Sequence, residues 1–180
     1  MIKFSSKITV DNTKALLQDL KSLARKEVLV GVPEEEDPRD QKSPIGNAGL
    51  AYIHDNGSPA AGIPAREFMR PGIEKIKNKI EGLLKRAAKA FLDNDEATAE
   101  QVLNATGLLA QSSIQKVIRD GENFKPLKEA TLKARLRRRK SLSKLPKEMQ
   151  EEIMDSFHPL IDTGQLLKAI TYVIKGFGKA

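Results

Sequence analysis

The sequence predicts an α+β protein, with a small antiparallel sheet of N-terminal strands and the C-terminal strand packed against long amphipathic helices from the middle of the chain. Three observations predict it. Residues 2–10, IKFSSKITV, alternate Ile2, Phe4, Ile8 and Val10 with Lys3, Ser5, Lys7 and Thr9, the period of a half-buried strand. From Ile73 to Leu92 the residues Ile73, Ile76, Ile80, Leu83, Leu84, Ala87 and Phe91 recur at helical spacing. Near the other end, Ile170 to Lys175 is β-branched and aromatic again, a strand that would return to the first sheet.

The elements between follow in order. Asp11 can cap a helix in which Leu16, Leu17, Leu20, Leu23 and Ala24 share a face, ending at about Arg25. EVLVGV (27–32) is a second strand, stopped by Pro33. The next piece, PEEEDPRDQKSPIGN, has clustered acids, three prolines and no apolar period, and predicts a mobile loop at about 33–46. Ala48–Asn56 reads as a short helix with Leu50 and Ile53/His54 inward and Asn56-Gly57 as a left-handed stop. Pro71 suits the first turn of the long helix that follows. Asp95 can cap another, with Val102, Ala105, Leu109, Ile114 and Val117/Ile118 on one face until Gly121. Residues 127–142 are helical and mostly basic, anchored by Leu127, Leu132, Leu136 and Leu142. SKLPKEMQEEIMDSFHP predicts a loop with one or two helical turns, and DTGQLLKAITYVIKGF a capped helix running into the last strand. All of this fits one domain over 1–180, without an internal repeat.

Composition narrows the functional classes. With no Trp, two Tyr and six Phe, the core must be aliphatic. The absence of Cys excludes disulfides and thiolate metal sites and agrees with folding in a reducing cytosol. The first 30 residues hold no apolar run of the signal-peptide kind, and nowhere does the chain approach the roughly 18 apolar residues of a membrane span, so no membrane partner is expected. Net charge is +7, but Lys125–Lys147 carries ten Lys/Arg against Glu129 alone. That segment balances at +9 and leaves the remainder at −2.

Catalysis finds little footing. His54, Asp55, His158 and Asp162 could supply two imidazoles and two carboxylates to a metal, but at no recognised ligand spacing; hydrogen-bonded structural histidines are the simpler reading. No Gly-x-Ser-x-Gly elbow is present, and Gly57, Gly62 and Gly72 match neither a dinucleotide nor a P-loop pattern. The sequence therefore predicts no catalytic, cofactor-binding or metal residue, and a protein that is not an enzyme. A better candidate for a partner is the basic segment, where Arg135, Arg137, Arg138, Arg139 and Lys140 could neutralise phosphates or form a solvated or protein-facing surface. It has neither the polar residues for reading bases nor the aromatics for stacking single strands. The stretch YIHDNGSPAAGIPAREFMRP has another logic. Pro59, Pro64 and Pro71 fix φ and Gly57 and Gly62 allow turns, which predicts a stiff extended arm with Ile63, Phe68 and Met69 packed in and Arg66 and Arg70 available for contact.

Three segments resemble the neck and tail-completion (virion morphogenesis, head–tail joining) proteins of tailed bacteriophages, of lambdoid-type siphophages and Mu-like phages. AYIHDNGSPAAGIPAREFMRPGI is similar to that family's Ala-x-Ile-His-Glu-x-Gly followed by Ile-Pro-Ala-Arg-Pro-Phe-Leu-Arg-Pro. FKPLKEATLKARLRRRKS is similar to an aromatic, Pro-Leu, then Thr and Arg before a basic run; PLIDTGQLLKAITYVI is similar to Pro-Leu-x-Asp-Thr-Gly-x-Leu and a strand. Asp55-Asn56 stand where an acid-aromatic pair is usual, and Glu67 where proline is common. The resemblance implies a non-enzymatic structural protein of the virion head–tail junction, made in the host cytoplasm. It would work as a homo-oligomeric ring, often of six copies, against connector or head-completion proteins and tail-terminator or tail-tube proteins, with DNA in the channel as a further partner. It implies protein-interface roles for His54, Gly57, Ile63, Pro64, Arg66, Phe68, Arg70 and Pro71. Leu127, Thr131 and Arg135 would belong to the second motif, and Asp162, Thr163, Gly164 and Leu166 to a capped turn that sets the last strand.

Overall fold

A computed structural model describes residues 13, 14, 17, 26–34, 45–122, 124–139 and 141–176. The fold is α+β: strands β1 (Lys26–Gly31) and β2 (Thr171–Gly176) form a two-stranded antiparallel sheet, and helices dominate the rest. These are α1 (Asn47–Asn56), α2 (Met69–Glu74), α3 (Lys77–Leu92), α4 (Glu96–Asp120), α5 (Glu129–Arg138), α6 (Lys147–Asp155) and α7 (Gln165–Ala169), with 3₁₀ turns at Pro59–Ala61 and Leu142–Lys144. The strand expected at 2–10 and most of the 33–46 loop lie outside the described residues. Of the helix expected at 11–25, Thr13, Lys14 and Leu17 are described, and they are helical.

The chain packs as two compact units. Of the described residues, one takes those up to Leu29, Asn78–Gly107 and those from Val173; the other takes those within Val30–Lys77 and Leu108–Tyr172. In the first, Ala87, Ala90 and Phe91 of α3 meet Ala99, Val102 and Leu103 of α4, with Val28, Leu83 and Ile174 against them. Three alanines at this contact let the helix barrels come close, so that Phe91 can be covered on all sides, a burial that stabilises by roughly 2–3 kcal/mol. The reversal between the helices is short. Asn94 takes a left-handed conformation (φ 58°), and Asp95 Oδ1 accepts the Thr98 N–H at 3.0 Å, the cap expected from sequence. In the second unit Phe68, Ile114, Ile118 and Ile170 are fully enclosed, with Ala51, Val117, Leu160 and Leu166 around them.

Several details depart from the sequence reading. The helix expected over 73–92 is broken at Lys75-Ile76, where the Ile76 N–H turns to the Ile73 carbonyl at i−3. The break coincides with a change of duty, since Ile73 packs in the second unit's core while Leu83, Ala87 and Phe91 serve the first. Along α4, Ala105 is exposed, whereas Ala99, Leu103, Thr106 and Ala110, outside the expected stripe, are buried. Thr106 turns its hydroxyl back to the Val102 carbonyl at 2.8 Å. On α1, Asn47 and Ala51 are the buried residues, and Leu50, Ile53 and His54 are half-buried. The segment after Ser143 contains a nine-residue helix, α6, longer than the one or two turns expected.

Gly72 and Gly82 show how differently two helical glycines are used. A Cβ on Gly72 would stand 2.7 Å from Ile114 Cγ1 and 2.8 Å from Ile114 Cα, so its backbone lies directly against α4. The Ser113 hydroxyl fastens the same crossing by donating to the Gly72 carbonyl at 2.6 Å. A Cβ on Gly82, in α3, would meet nothing within 4 Å. Gly72→Ala should therefore cost about 1–3 kcal/mol in urea unfolding, and Gly82→Ala should gain about 0.5–1 kcal/mol.

Asp95 adds a pH dependence. Hydrogen bonds from the Thr98 side chain, then from its backbone N–H, hold the Asp95 carboxyl below its ordinary range. Its contribution is thus complete above the ordinary carboxylate value and is lost as pH falls through the depressed one. In acid titrations followed by circular dichroism, Asp95→Asn, which keeps the cap without the charge, should flatten this part of the stability profile.

Candidate interaction surface

The three segments singled out in the sequence lie in the second unit as far as Tyr172, and two buried arginines tie them together. Arg66, 5% exposed, donates from Nε to the Lys125 carbonyl at 2.8 Å and from Nη2 to the Pro126 carbonyl at 3.1 Å. Arg135, 8% exposed, donates from Nη1 to the carbonyls of His158 (2.6 Å) and Ile161 (3.1 Å) and from Nη2 to that of Pro159 (3.1 Å). Its Nε also lies 3.8 Å from Asp162 Oδ1. Guanidinium suits both places because a planar fork can serve several carbonyls of an irregular loop while remaining charged. Burial pushes both guanidinium pKa values down; for Arg135 the Asp162 carboxylate opposes that effect.

The proline-glycine stretch is built inward around these contacts. Gly57 ends α1 with φ 80° and ψ 173°, outside the left-handed helical basin and in a region nearly reserved for glycine. A Cβ there would stand 2.7 Å from the Ala65 nitrogen, so Gly57 also lets the returning chain pass close by. Ser58 and Ile63 exchange backbone hydrogen bonds (2.8 and 2.9 Å) across the Pro59–Ala61 turn. The Arg66 N–H then donates to the His54 carbonyl at 2.8 Å. Asp55 Oδ1 accepts the N–H groups of Phe68 (2.7 Å) and Met69 (3.0 Å), capping α2 from a distant point in sequence. What the sequence suggested as an extended arm is therefore a clamped loop, and Arg66, expected as a contact residue, is an internal strut.

The expected site residues sort by exposure. Phe68 is enclosed in the core, and His54, Ile63, Pro64 and Pro71 are half-buried. Arg70 is exposed and pairs with Glu67, just before α2, and with Glu74 along it, which raises its pKa, chiefly through the Glu67 hydrogen bond. Gly57, Ile63 and Pro64 line an open, mostly apolar cleft of about 460 Å³ beside Lys128. On the basic segment Arg135 is withdrawn from the surface. Arg138 donates to Asp162 Oδ2 at 2.6 Å, and Arg139 lies 4.9 Å from the centre of the Phe157 ring. Arg137 is exposed, and Lys140 falls outside the described residues. Asp162 does not cap α7: its carboxylate faces Arg135 and Arg138, while the Gln165 N–H points to the Thr163 hydroxyl at 3.4 Å. Gly164, at φ 77°, makes the turn into α7.

A second cleft, of about 330 Å³, brings His54 and Asp162 to one wall system with Arg135, Arg138, Thr163 and Gly164. Its acid is matched to the two arginines, and the Asp55 carboxylate is engaged by backbone N–H groups. Among the described residues no three His, Cys, Asp or Glu converge as a metal-binding group, and no helix is long and apolar enough to cross a membrane.

Removing the Arg135 fork leaves the carbonyls of His158, Pro159 and Ile161 without their donor and Asp162 with one cation fewer. Arg135→Gln should lower stability by roughly 3 kcal/mol, and Arg137→Gln by less than about 0.5 kcal/mol, in matched urea titrations. Similar losses for the two variants would mean that the buried fork contributes no more than an ordinary surface charge.

Compared with known proteins, the chain matches no family model, no curated protein and no solved structure.

Proposed function

We propose that this protein is a structural component of a tailed-phage neck, completing the tail or joining head to tail as one subunit of an oligomeric ring. The observation that carries the proposal is the mechanical part played by the residues of the resembling motifs. Gly57 admits a crossing chain, Arg66 and Arg135 bridge separate loops, Asp162 receives two arginines, and Phe68 and Leu166 fill the core. Such a pattern is what a rigid scaffold requires. Around the scaffold remain exposed elements suited to neighbours: Arg70 with its acids, Arg137, and the apolar cleft beside Gly57, Ile63 and Pro64. A ring subunit needs unlike faces that meet head-to-tail, and closure depends on the rotation between copies. The alternative, a DNA-binding module acting through residues 125–147, draws less support because Arg135 and Arg138 are engaged within the chain.

Mass photometry and negative-stain imaging of the purified protein, alone and with phage heads and tails, test the reading. Closed rings, six-fold by the resemblance, or stoichiometric incorporation at the head–tail junction are the expected outcomes. A protein that stays monomeric at high concentration and is absent from assembled particles overturns it.

A further inference from the structure

Helix α3 carries Lys77, Lys79, Lys85, Arg86 and Lys89 against a single acid, Glu81. Its inner side is given by Ala87, Ala90 and Phe91, which pack into the first unit's core. Gly82 lies on the exposed side, in a helix interior where glycine weakens the helix and where no neighbouring atom requires its small size. The residues at i−3, i+3, i+4 and i+7 from it are Lys79, Lys85, Arg86 and Lys89. These spacings place all four around the glycine on adjacent turns. All four are exposed, and among the described residues none of them forms an ion pair. Lys85 and Lys89 are an i, i+4 like-charge pair, which opposes helix formation. A bare glycine and the clustered cations are both unfavourable to the isolated helix; the one acid, Glu81, stands i, i+4 to Lys85 and offsets a single charge, and no neighbouring atom packs against the glycine.

We propose that this face of α3, centred on Gly82, binds the phosphate backbone of duplex DNA without reading its sequence. The missing side chain lets a phosphate approach the helix barrel, and the four cations surround it at spacings that reach neighbouring phosphates. Other partners fit less well. A protein interface is depleted of lysine, which makes three of these four cations, and is organised on a buried apolar, aromatic or arginine anchor. No apolar or aromatic anchor stands among the four cations: exposed Leu84 projects roughly 160° away from Gly82 around the helix, and Leu92 lies roughly 15 Å along it. Single-strand binding needs stacking aromatics, and the one aromatic of α3, Phe91, is buried. Beyond the cations themselves, which can meet guanine edges as well as phosphates, the side chains of α3 suited to base edges are Asn78 and Glu81. A cluster of charge that can meet DNA thus stands on α3, in a part of the chain whose overall balance hides it. The proposal rests on this helix and is independent of the neck reading.

A fluorescein-labelled mixed-sequence duplex of about 30 base pairs, titrated with the full chain between roughly 50 and 200 mM salt, reads affinity and salt slope by anisotropy. The combined Lys85→Gln, Arg86→Gln, Lys89→Gln variant should weaken binding at least about 30-fold at the lowest salt and reduce the slope by about 2–3, at about 0.9 per phosphate contact. Gly82→Glu replaces glycine by a better helix former and sets an acid at the centre. It should weaken binding in the same way without lowering the melting temperature. Arg137→Gln with Arg139→Gln should leave affinity within about 3-fold of wild type, since phosphate contacts on α5 are not required. Failure of the wild-type chain to bind the duplex overturns the proposal, as does unchanged affinity and slope in both α3 variants. Displacement of the duplex by poly-glutamate at lower charge concentration than by unlabelled duplex would assign the face to an acidic protein and overturn it as well.

Discussion

Loops that pack inside a protein carry backbone carbonyls that no helix or strand will satisfy, and the second unit of this protein depends on meeting that need with arginine. Residues 124–128 and 158–162 have no regular partner strand, yet they border the core around Phe68, Ile114 and Leu160. Arg66 reaches across to the first loop and Arg135 to the second, so each loop is held by charge-assisted hydrogen bonds. Lysine could not replace either residue, because one ammonium cannot present a planar fork to two or three carbonyls at once. The core then closes over loops already positioned, and Gln115 adds a similar tie from α4 to the Leu167 carbonyl at 3.1 Å.

This use of arginine alters how the basic segment is understood. Ten cations in 23 residues suggest a surface made for polyanions, but a charge count does not distinguish a cation facing solvent from one facing carbonyls. Arg135 is buried, Arg138 is matched with Asp162, and Lys133 pairs with Glu129 at 2.5 Å. Among the described residues the cations of α3 form no ion pair, and alanines and Phe91 occupy its inner side. Net charge of a segment and charge available to a partner are different quantities, and burial separates them.

The histidine-acid pair that first suggests chemistry resolves in a similar manner. Asp55 is engaged in ending one helix and starting another, through the N–H groups of Phe68 and Met69. The His54 backbone carbonyl receives the Arg66 N–H, which fixes the loop between those helices. The Asp55 carboxylate here serves a reversal of the chain, where unsatisfied helix-end groups also call for charge.

Periodicity and capping made much of the fold legible in the sequence: the α+β class, the strand before Pro33, the Asp95 cap, the stop at Gly57 and the last helix-strand pair. These depend on residues a few positions apart, whose spacing alone fixes which sides coincide. The break at Lys75-Ile76, the buried set on α4 and the division into two units were decided by tertiary structure, because each reflects which distant residues share a core. The same holds for the candidate surface. Sequence picked out Arg66, Arg135 and Asp162 by their motifs, but only the fold could reveal that their partners are loops of the same chain. Whether an arginine faces a carbonyl or a solvent-borne phosphate depends on long-range packing, and no local pattern of charges carries that information.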